Sequence, residues 1–172
     1  MLNKLSENRT KTVLCVGRIS NDRHLQFQAE AYSREEYLSK VKLILISLVL
    51  QGSDTFLFTS WGYFELYLCE CLKSMNNELV IGHQELFLMA SIRDSDYLET
   101  LPDPNDYWRF YYDEEKEGII LSEEERISQL LENANVVLYD SADSDSYVAG
   151  FVDVAEKRGM SLVNLNDKWM LW

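Results

Sequence analysis

The stretch Asp54-Thr-Phe-Leu-Phe-Thr-Ser-Trp-Gly-Tyr-Phe-Glu65 predicts a strand, a turn and the start of a helix. Its first six residues form a short apolar run typical of a buried strand. From Tyr63 to Ser74, apolar residues recur at helical spacing, which predicts an amphipathic helix. A strand followed directly by a helix is the repeating unit of α/β proteins, so this stretch indicates the fold class.

The sequence before this unit predicts another strand and another helix. Thr12-Val-Leu-Cys-Val16 is an apolar, β-branched run that predicts a buried strand. Residues 18–32 show no periodic pattern and are predicted to be irregular. Ser33 and Glu36 fit a capping box, and the helix that they open is predicted to run to about Gln51.

The sequence after the central unit continues the same alternation. Residues 85–92 fit either a helix or a strand, and residues 93–118, which contain both prolines, are predicted to be irregular. The remaining predicted elements are a strand at Glu78–Ile81, a helix opened by a Ser122–Glu125 capping box and ending near Glu132, a strand at Ala134–Tyr139, a polar turn at 140–146, a helix at Tyr147–Arg158 closed by Gly159, and a strand at Ser161–Leu165.

Together these elements predict a Rossmann-like α/β fold. Their order is typical of a three-layer sandwich, in which a mostly parallel sheet of about five strands carries helices on both faces. The chain has 172 residues, which is the size of one domain. We therefore predict a flexible arm at residues 1–10 and a single domain at residues 11–172, with an acidic irregular segment at about 93–118.

The net charge of −13 is concentrated in one part of the chain. Residues 94–145 hold sixteen acidic and three basic residues, which accounts for the whole excess. Direct binding to nucleic acid is disfavoured, because phosphate repels such a surface. The segment favours a basic protein partner, or else its charges serve only solubility. The residues predicted to form an acidic, aromatic docking surface are Tyr107, Trp108, Tyr111, Tyr112, Asp113, Glu114, Glu115 and Glu117.

Several features lead us to expect a cytoplasmic protein with no membrane association. The first residues contain no apolar segment of the kind that directs secretion. Three cysteines cannot all pair, and Cys69 and Cys71 lack metal-binding spacing, so reduced, buried thiols are expected. The longest apolar run, Leu43–Leu50, is too short to span a membrane and is predicted to be a core helix buried on most sides.

The polar turns that follow Val16, Phe58 and Tyr139 are predicted to meet at one edge of the sheet. Ligands of open parallel sheets bind beyond the carboxyl ends of the strands, near the point where the strand order reverses. Free amides in the turn before Glu65 could receive a phosphate, and Glu65 could accept a ribose hydroxyl. Alternatively, Ser60 caps the helix and Glu65 complements its dipole. The predicted ligand-binding residues are Gly17, Arg18, Ser60, Gly62, Glu65 and Ser141.

The turn after Tyr139 is strongly acidic. Asp140, Asp143 and Asp145 offer oxygen ligands that suit Mg²⁺ or Ca²⁺, but a solvated acidic turn fits the same residues. No serine or cysteine motif accompanies either histidine, so no nucleophile–base arrangement is predicted. We therefore predict no metal and no cofactor.

Parts of the chain resemble the YpsA-like branch of the SLOG superfamily, whose members have Rossmann-like nucleotide-binding domains. The resembling stretches are Val16–Arg18, Phe58–Glu70, and Asn133–Asp140 with Ala155–Arg158. The resemblance implies a SLOG-like domain with a nucleotide site at its serine/glycine turn. The chain departs from the family at Trp61 or Tyr63, one of which stands where a second small residue is usual, and it lacks the glycine-rich signature of the superfamily's phosphoribohydrolases.

Three functions fit these observations. The resemblance favours a protein that binds a nucleotide or nucleotide derivative without catalysis. The charge pattern instead fits an acidic interaction protein or inhibitor, for example from a phage, that docks on a basic, nucleic-acid-binding partner. A third possibility is hydrolysis of a nucleotide glycosidic bond, with Glu65 as the acid–base or cation-stabilising group and Arg18 holding phosphate.

Overall fold

A computed structural model describes residues 11–77, 86–93, 98–103, 106, 110–114, 118, 121–140 and 145–166. The predicted arm at residues 1–10 and the predicted strand at Glu78–Ile81 lie outside these residues. The strands within them are β1 (Thr12–Val16), β2 (Thr55–Phe58), β3 (Phe87–Ile92), β4 (Phe110–Asp113), β5 (Val136–Tyr139) and β6 (Ser161–Asn164). The helices are α1 (Asn21–Ala29), α2 (Ala31–Leu50), α3 (Tyr63–Asn77), α4 (Glu123–Glu132) and α5 (Ser146–Lys157).

All of these strands are parallel and lie in the order β4-β3-β2-β1-β5-β6. The predicted Rossmann-like α/β fold is therefore confirmed. β3 shows that the described part of the ambiguous stretch at residues 85–92 is a strand over Phe87–Ile92. β4 falls inside the segment 93–118, so the prediction that this whole segment is irregular is wrong. The chain moves outward from β1 to β4 and returns to the other side of β1 at β5, so the strand order reverses between β1 and β5.

Alternate residues of β1 face two separate cores, one on each side of the sheet. Val13 and Cys15 pack with buried side chains of α1, α2 and α3. Leu14 and Val16 pack with buried side chains of α4 and α5. Since both faces are covered by helices, β1 is buried along its whole length, as is typical of a parallel sheet.

Helix α1 lies in the segment predicted to be irregular at residues 18–32, so that prediction is wrong. Ser20 caps the helix, because its Oγ accepts a hydrogen bond from the Arg23 backbone N–H at 3.2 Å. Phe27 is the one residue of α1 that is buried, and the sequence therefore carries no apolar stripe. The available signal was the pair Ser20 and Asp22, a cap followed by an acid in the first turn.

Helix α2 also differs from its prediction. It begins at Ala31, and Ser33 lies in its first turn with Oγ donating to Glu30 Oε2 at 2.8 Å, so the capping box predicted at Ser33 is wrong. The predicted burial on most sides is also wrong. Leu43 and Leu50 are 63% and 75% exposed, which shows that α2 buries one side only.

The predicted ends of the last two helices agree with the structure. Ser122 and Glu125 form a reciprocal capping box at the start of α4, with hydrogen bonds of 3.2 and 3.3 Å. Gly159 follows α5 with a φ of 69°, the left-handed conformation that commonly ends a helix. None of the described helices is long and apolar enough to cross a membrane.

Candidate functional site

A cleft of about 410 Å³ opens at the carboxyl edge of the sheet. Its walls include the turn after β1, the turn after β2 and Asp145 at the start of α5, so it lies where the strand order reverses. Five of the six predicted ligand-binding residues line the cleft, namely Gly17, Arg18, Ser60, Gly62 and Glu65. The sixth, Ser141, lies outside the described residues.

Besides α5, two helices whose first N–H groups lie at the cleft are α1 and α3. Ser20 and Asn21, at the start of α1, line it together with Gly62 and Tyr63, at the start of α3. The first turn of α3 is closed by the Leu66 N–H, which donates to the Gly62 carbonyl oxygen at 3.0 Å. Because the N–H groups at a helix start carry partial positive charge, two such ends favour an anionic group in the cleft.

Glu65 places a buried carboxylate in the wall of the cleft. It lies in the first turn of α3, is 2% exposed and accepts a hydrogen bond from Ser60 Oγ. Since α3 begins after Gly62, the Ser60 hydroxyl holds Glu65 and does not cap the helix. Burial is the main cause that raises the pKa of Cys15 well above its ordinary value, and the nearby Glu65 carboxylate raises it further. A carboxylate oxygen held in this way can accept a hydrogen bond from a ligand hydroxyl.

Arg18 contributes positive charge to the cleft. Its side chain is 38% exposed, and its Nε lies 3.6 Å from Asp145 Oδ1. Its guanidinium carbon lies 4.2 Å from the centroid of the Tyr147 ring. Asp145 Oδ1 also accepts the Tyr147 backbone N–H at 2.7 Å, so Asp145 caps α5 and contacts Arg18. Tyr147 was not predicted as a site residue, and its one signal in the sequence was its place in the first turn of a helix after a polar turn.

The two glycines of the cleft have different roles in packing. A Cβ on Gly17 would lie 2.6 Å from two carbons of the Phe64 ring, so this position has no room for a side chain. A Cβ on Gly62 would meet nothing closer than Glu65 Oε2 at 3.9 Å. Gly17 is therefore explained by the packing of α3 against β1, without reference to a phosphate.

The bulky residues of the turn after β2 take different positions. Trp61 is fully buried, and its Nε1–H donates to the Pro102 carbonyl oxygen at 3.0 Å. Tyr63 is half-buried at the cleft, with its ring stacked 3.6 Å from that of His24. His24 Nδ1 is hydrogen-bonded to Tyr67 OH at 2.8 Å, and burial lowers the pKa of His24. The indole of Trp61 is thus held in the interior, whereas Tyr63 remains at the edge of the site.

Asp140 directly follows β5, and hydrogen bonds and an ion pair hold its carboxylate inside the protein. It is 2% exposed, and its Oδ2 lies 3.0 Å from Arg23 Nη1 and accepts the Tyr37 hydroxyl at 2.8 Å. Its Oδ1 accepts Asn166 Nδ2 at 2.7 Å. Asp143 lies outside the described residues. Among the residues that are described, no group of three His, Cys, Asp or Glu side chains is placed to hold a metal ion.

Arg126 and Glu114 form a buried ion pair that the sequence analysis did not predict. They are 1% and 4% exposed, and Arg126 Nε donates to the two carboxylate oxygens at 2.8 and 3.1 Å. Arg126 Nη2 donates to the carbonyl oxygens of Thr59 and Ser91 at 2.8 and 3.0 Å. Burial opposes this charge, but Tyr147 and Glu114 outweigh it and raise the pKa of Arg126. The pair thus joins α4 to the carboxyl ends of β2, β3 and β4.

Glu114 was predicted to belong to an acidic docking surface, and the structure corrects this. Its carboxylate is buried and paired with Arg126, so it is not part of an exposed acidic surface. Tyr111, Tyr112 and Asp113 belong to β4. The other predicted docking residues, which lie outside the described part of the chain, are Tyr107, Trp108, Glu115 and Glu117. Docking on a basic protein stays a prediction.

The sequence matches neither a protein-family model nor a curated protein. The fold and the cleft therefore define the class by themselves: a Rossmann-like α/β protein with a polar cleft at the reversal of strand order. Membership of the SLOG superfamily remains a proposal.

Proposed function

We propose that this protein binds a nucleotide or a nucleotide derivative in the cleft between the ends of β1, β2 and β5. The observation that carries the proposal is that residues far apart in the sequence meet at one cleft. Residues from two distant segments, Gly17 with Arg18 and Ser60 with Gly62 and Glu65, line one cleft at the reversal of strand order. Its volume of about 410 Å³ falls within the usual range for small-molecule sites, roughly 300–1,000 Å³.

The polar groups of the cleft suit the parts of a nucleotide. A phosphate would lie against the N-termini of α1 and α3, with the Arg18 guanidinium as its charged donor. A ribose hydroxyl would donate to Glu65, whose carboxylate is already oriented by Ser60. The carboxylates of Glu65 and Asp145 disfavour a densely charged anion beside them, so a nucleotide suits the cleft better than a free polyphosphate does.

Thermal unfolding with a nucleotide panel tests this proposal. ADP-ribose, NAD, AMP and cyclic nucleotides would each be added to the full chain. A ligand present at about 100 times its Kd adds roughly 2.7 kcal/mol, which for a domain of this size raises Tm by roughly 5–11 °C. If no nucleotide raises Tm in a sample that unfolds cooperatively, the proposal is wrong.

Two matched variants locate the binding. Arg18→Gln removes a charged hydrogen-bond donor, and we expect it to raise the Kd of the best ligand by roughly 10- to 100-fold. Lys157→Gln makes the same change of charge at the far end of α5, about 18 Å from the cleft end of that helix, and should leave the Kd unchanged. Equal losses in both variants would show that general charge, and not the cleft, binds the nucleotide.

A second candidate function is hydrolysis of a nucleotide glycosidic bond. The observation that favours it is the position of Glu65, a buried carboxylate that lines the cleft and is held by Ser60. Such a group could protonate a leaving base or stabilise an oxocarbenium-like transition state. Incubation with nucleoside monophosphates and chromatography for free base tests this candidate. Base release that Glu65→Gln leaves unchanged would remove the proposed role of Glu65.

A further inference from the structure

The aromatic ring of Tyr147 lies directly against the guanidinium of Arg18, which lines the cleft. The Arg18 guanidinium carbon is 4.2 Å from the ring centroid, which is a close cation–π contact. Asp145 Oδ1 lies 3.6 Å from Arg18 Nε. Arg18 lines the cleft, whereas Tyr147 is not among its lining residues, so Tyr147 can affect a ligand there chiefly through Arg18.

Tyr147 is itself fixed at both ends. Its backbone N–H donates to Asp145 Oδ1 at 2.7 Å, and its phenol oxygen is hydrogen-bonded to Thr59 Oγ1 at 2.6 Å. Arg126 Nη1 also donates to that oxygen, at 3.4 Å. Arg126 is in turn held by Glu114 and by the ends of β2 and β3. The ring under Arg18 is therefore anchored to Thr59 and to the buried ion pair of Arg126 and Glu114.

We propose that Tyr147 is the positioning residue for Arg18, holding the guanidinium in place for the anionic group of a bound nucleotide. The inference rests on the proposed function. Ordering one long side chain on binding costs about 0.5–1.5 kcal/mol, so a guanidinium that is already held gives roughly 2- to 12-fold tighter binding. Removing the ring therefore weakens binding through Arg18 alone.

A double-mutant cycle measured with AMP tests the proposal, with inorganic phosphate as a second probe. Tyr147→Leu should raise the Kd of AMP by roughly 2- to 12-fold in the wild-type background, and should have no effect in the Arg18→Gln background. Tyr147→Phe keeps the ring but loses the anchor to Thr59, and its Kd should lie between those of the wild type and Tyr147→Leu. If the Arg18 and Tyr147 effects simply multiply, Tyr147 acts independently of Arg18 and the proposal is wrong.

Phe151→Leu is the control for a merely structural effect. Phe151 lies one turn further along α5, is 1% exposed and packs edge-on against Tyr147, but does not line the cleft. This variant should lower Tm and leave the Kd of AMP unchanged. A loss of affinity equal to that of Tyr147→Leu would show that α5 packing, and not the ring under Arg18, is responsible.

A ligand-free NMR measurement separates failure of this inference from failure of the proposed function. The ring current of Tyr147 should shift the Arg18 side-chain Nε–Hε signal, and Tyr147→Leu should abolish that shift. The shift could be present although neither AMP nor phosphate binds the wild type. In that case Tyr147 holds Arg18, but the proposed function is overturned, and so is the proposed role of Tyr147 in binding. If AMP binds and no shift is seen, the nucleotide site stands and Tyr147 does not position Arg18.

Discussion

Replacing Gly17 with alanine separates the packing role of this residue from a role in binding phosphate. The new Cβ would lie 2.6 Å from Cδ2 and Cε2 of Phe64, whereas ordinary contact begins near 3.4 Å. Phe64 is fully buried among the side chains of its core and cannot swing away freely. Overpacking of this kind costs roughly 1–3 kcal/mol, which corresponds to a Tm lower by roughly 2–12 °C.

Urea unfolding and calorimetry measure this loss, with Gly62→Ala as the matched control. A Cβ on Gly62 has its nearest neighbour at 3.9 Å, so the free energy of unfolding should stay within about 1 kcal/mol of the wild type. Adding Phe64→Leu to Gly17→Ala should recover part of the lost stability, because the smaller side chain relieves the contact. A Gly17→Ala variant as stable as the wild type, or losses that simply add in the double variant, would refute the packing role of Gly17.

Three further predictions concern the Glu114–Arg126 pair, His24 and the three cysteines. Glu114→Gln should lower the free energy of unfolding by roughly 3–5 kcal/mol in urea, and adding Arg126→Met should cost less than the sum of the single changes; additive losses would contradict a coupled pair. Burial lowers the pKa of His24 in the folded chain. As the pH falls below about 6.5, the unfolded chain therefore takes up a proton at His24 before the folded chain does. The stability that neutral His24 provides is thus present above that value and is lost as the pH falls through the folded pKa, and His24→Gln should flatten this dependence in urea titrations. Burial raises the pKa of Cys71 to about 11, and the other two cysteines are also buried, so Ellman's reagent at pH 8 should label no thiol in the folded protein and three after unfolding. Rapid labelling of the native chain would contradict the packing described.

The features that could be predicted from the sequence are those with a local physical cause. The turn from β2 to α3 is marked by an apolar run, a glycine and a helical stripe, all within a few residues of one another. The capping box at Ser122 likewise depends on two residues in one turn. The carboxyl ends of parallel strands share one edge of the sheet, so the cleft around Arg18 and Glu65 followed once the fold class was known.

Other features depend on contacts between distant parts of the chain and left no local signal. Arg126 and Glu114 look like solvated charges in an acidic segment, yet they pair because the ends of β2 and β3 offer carbonyl oxygens there. Helix α1 was missed because it buries only Phe27 and otherwise shows no apolar periodicity. The role of Gly17 also became clear only from the position of the Phe64 ring.

Backbone amide NMR during titration with the nucleotide that gives the largest thermal shift tests the central claim most directly. This measurement reports both whether binding occurs and where it occurs. We expect saturable shifts of the amides of Gly17 and Arg18, in the turn after β1, and of Gly62 and Tyr63, at the start of α3. Arg18→Gln should weaken the binding that these shifts report. Saturable shifts confined to residues away from the cleft, or no saturable shift with any nucleotide of the panel, would contradict the account.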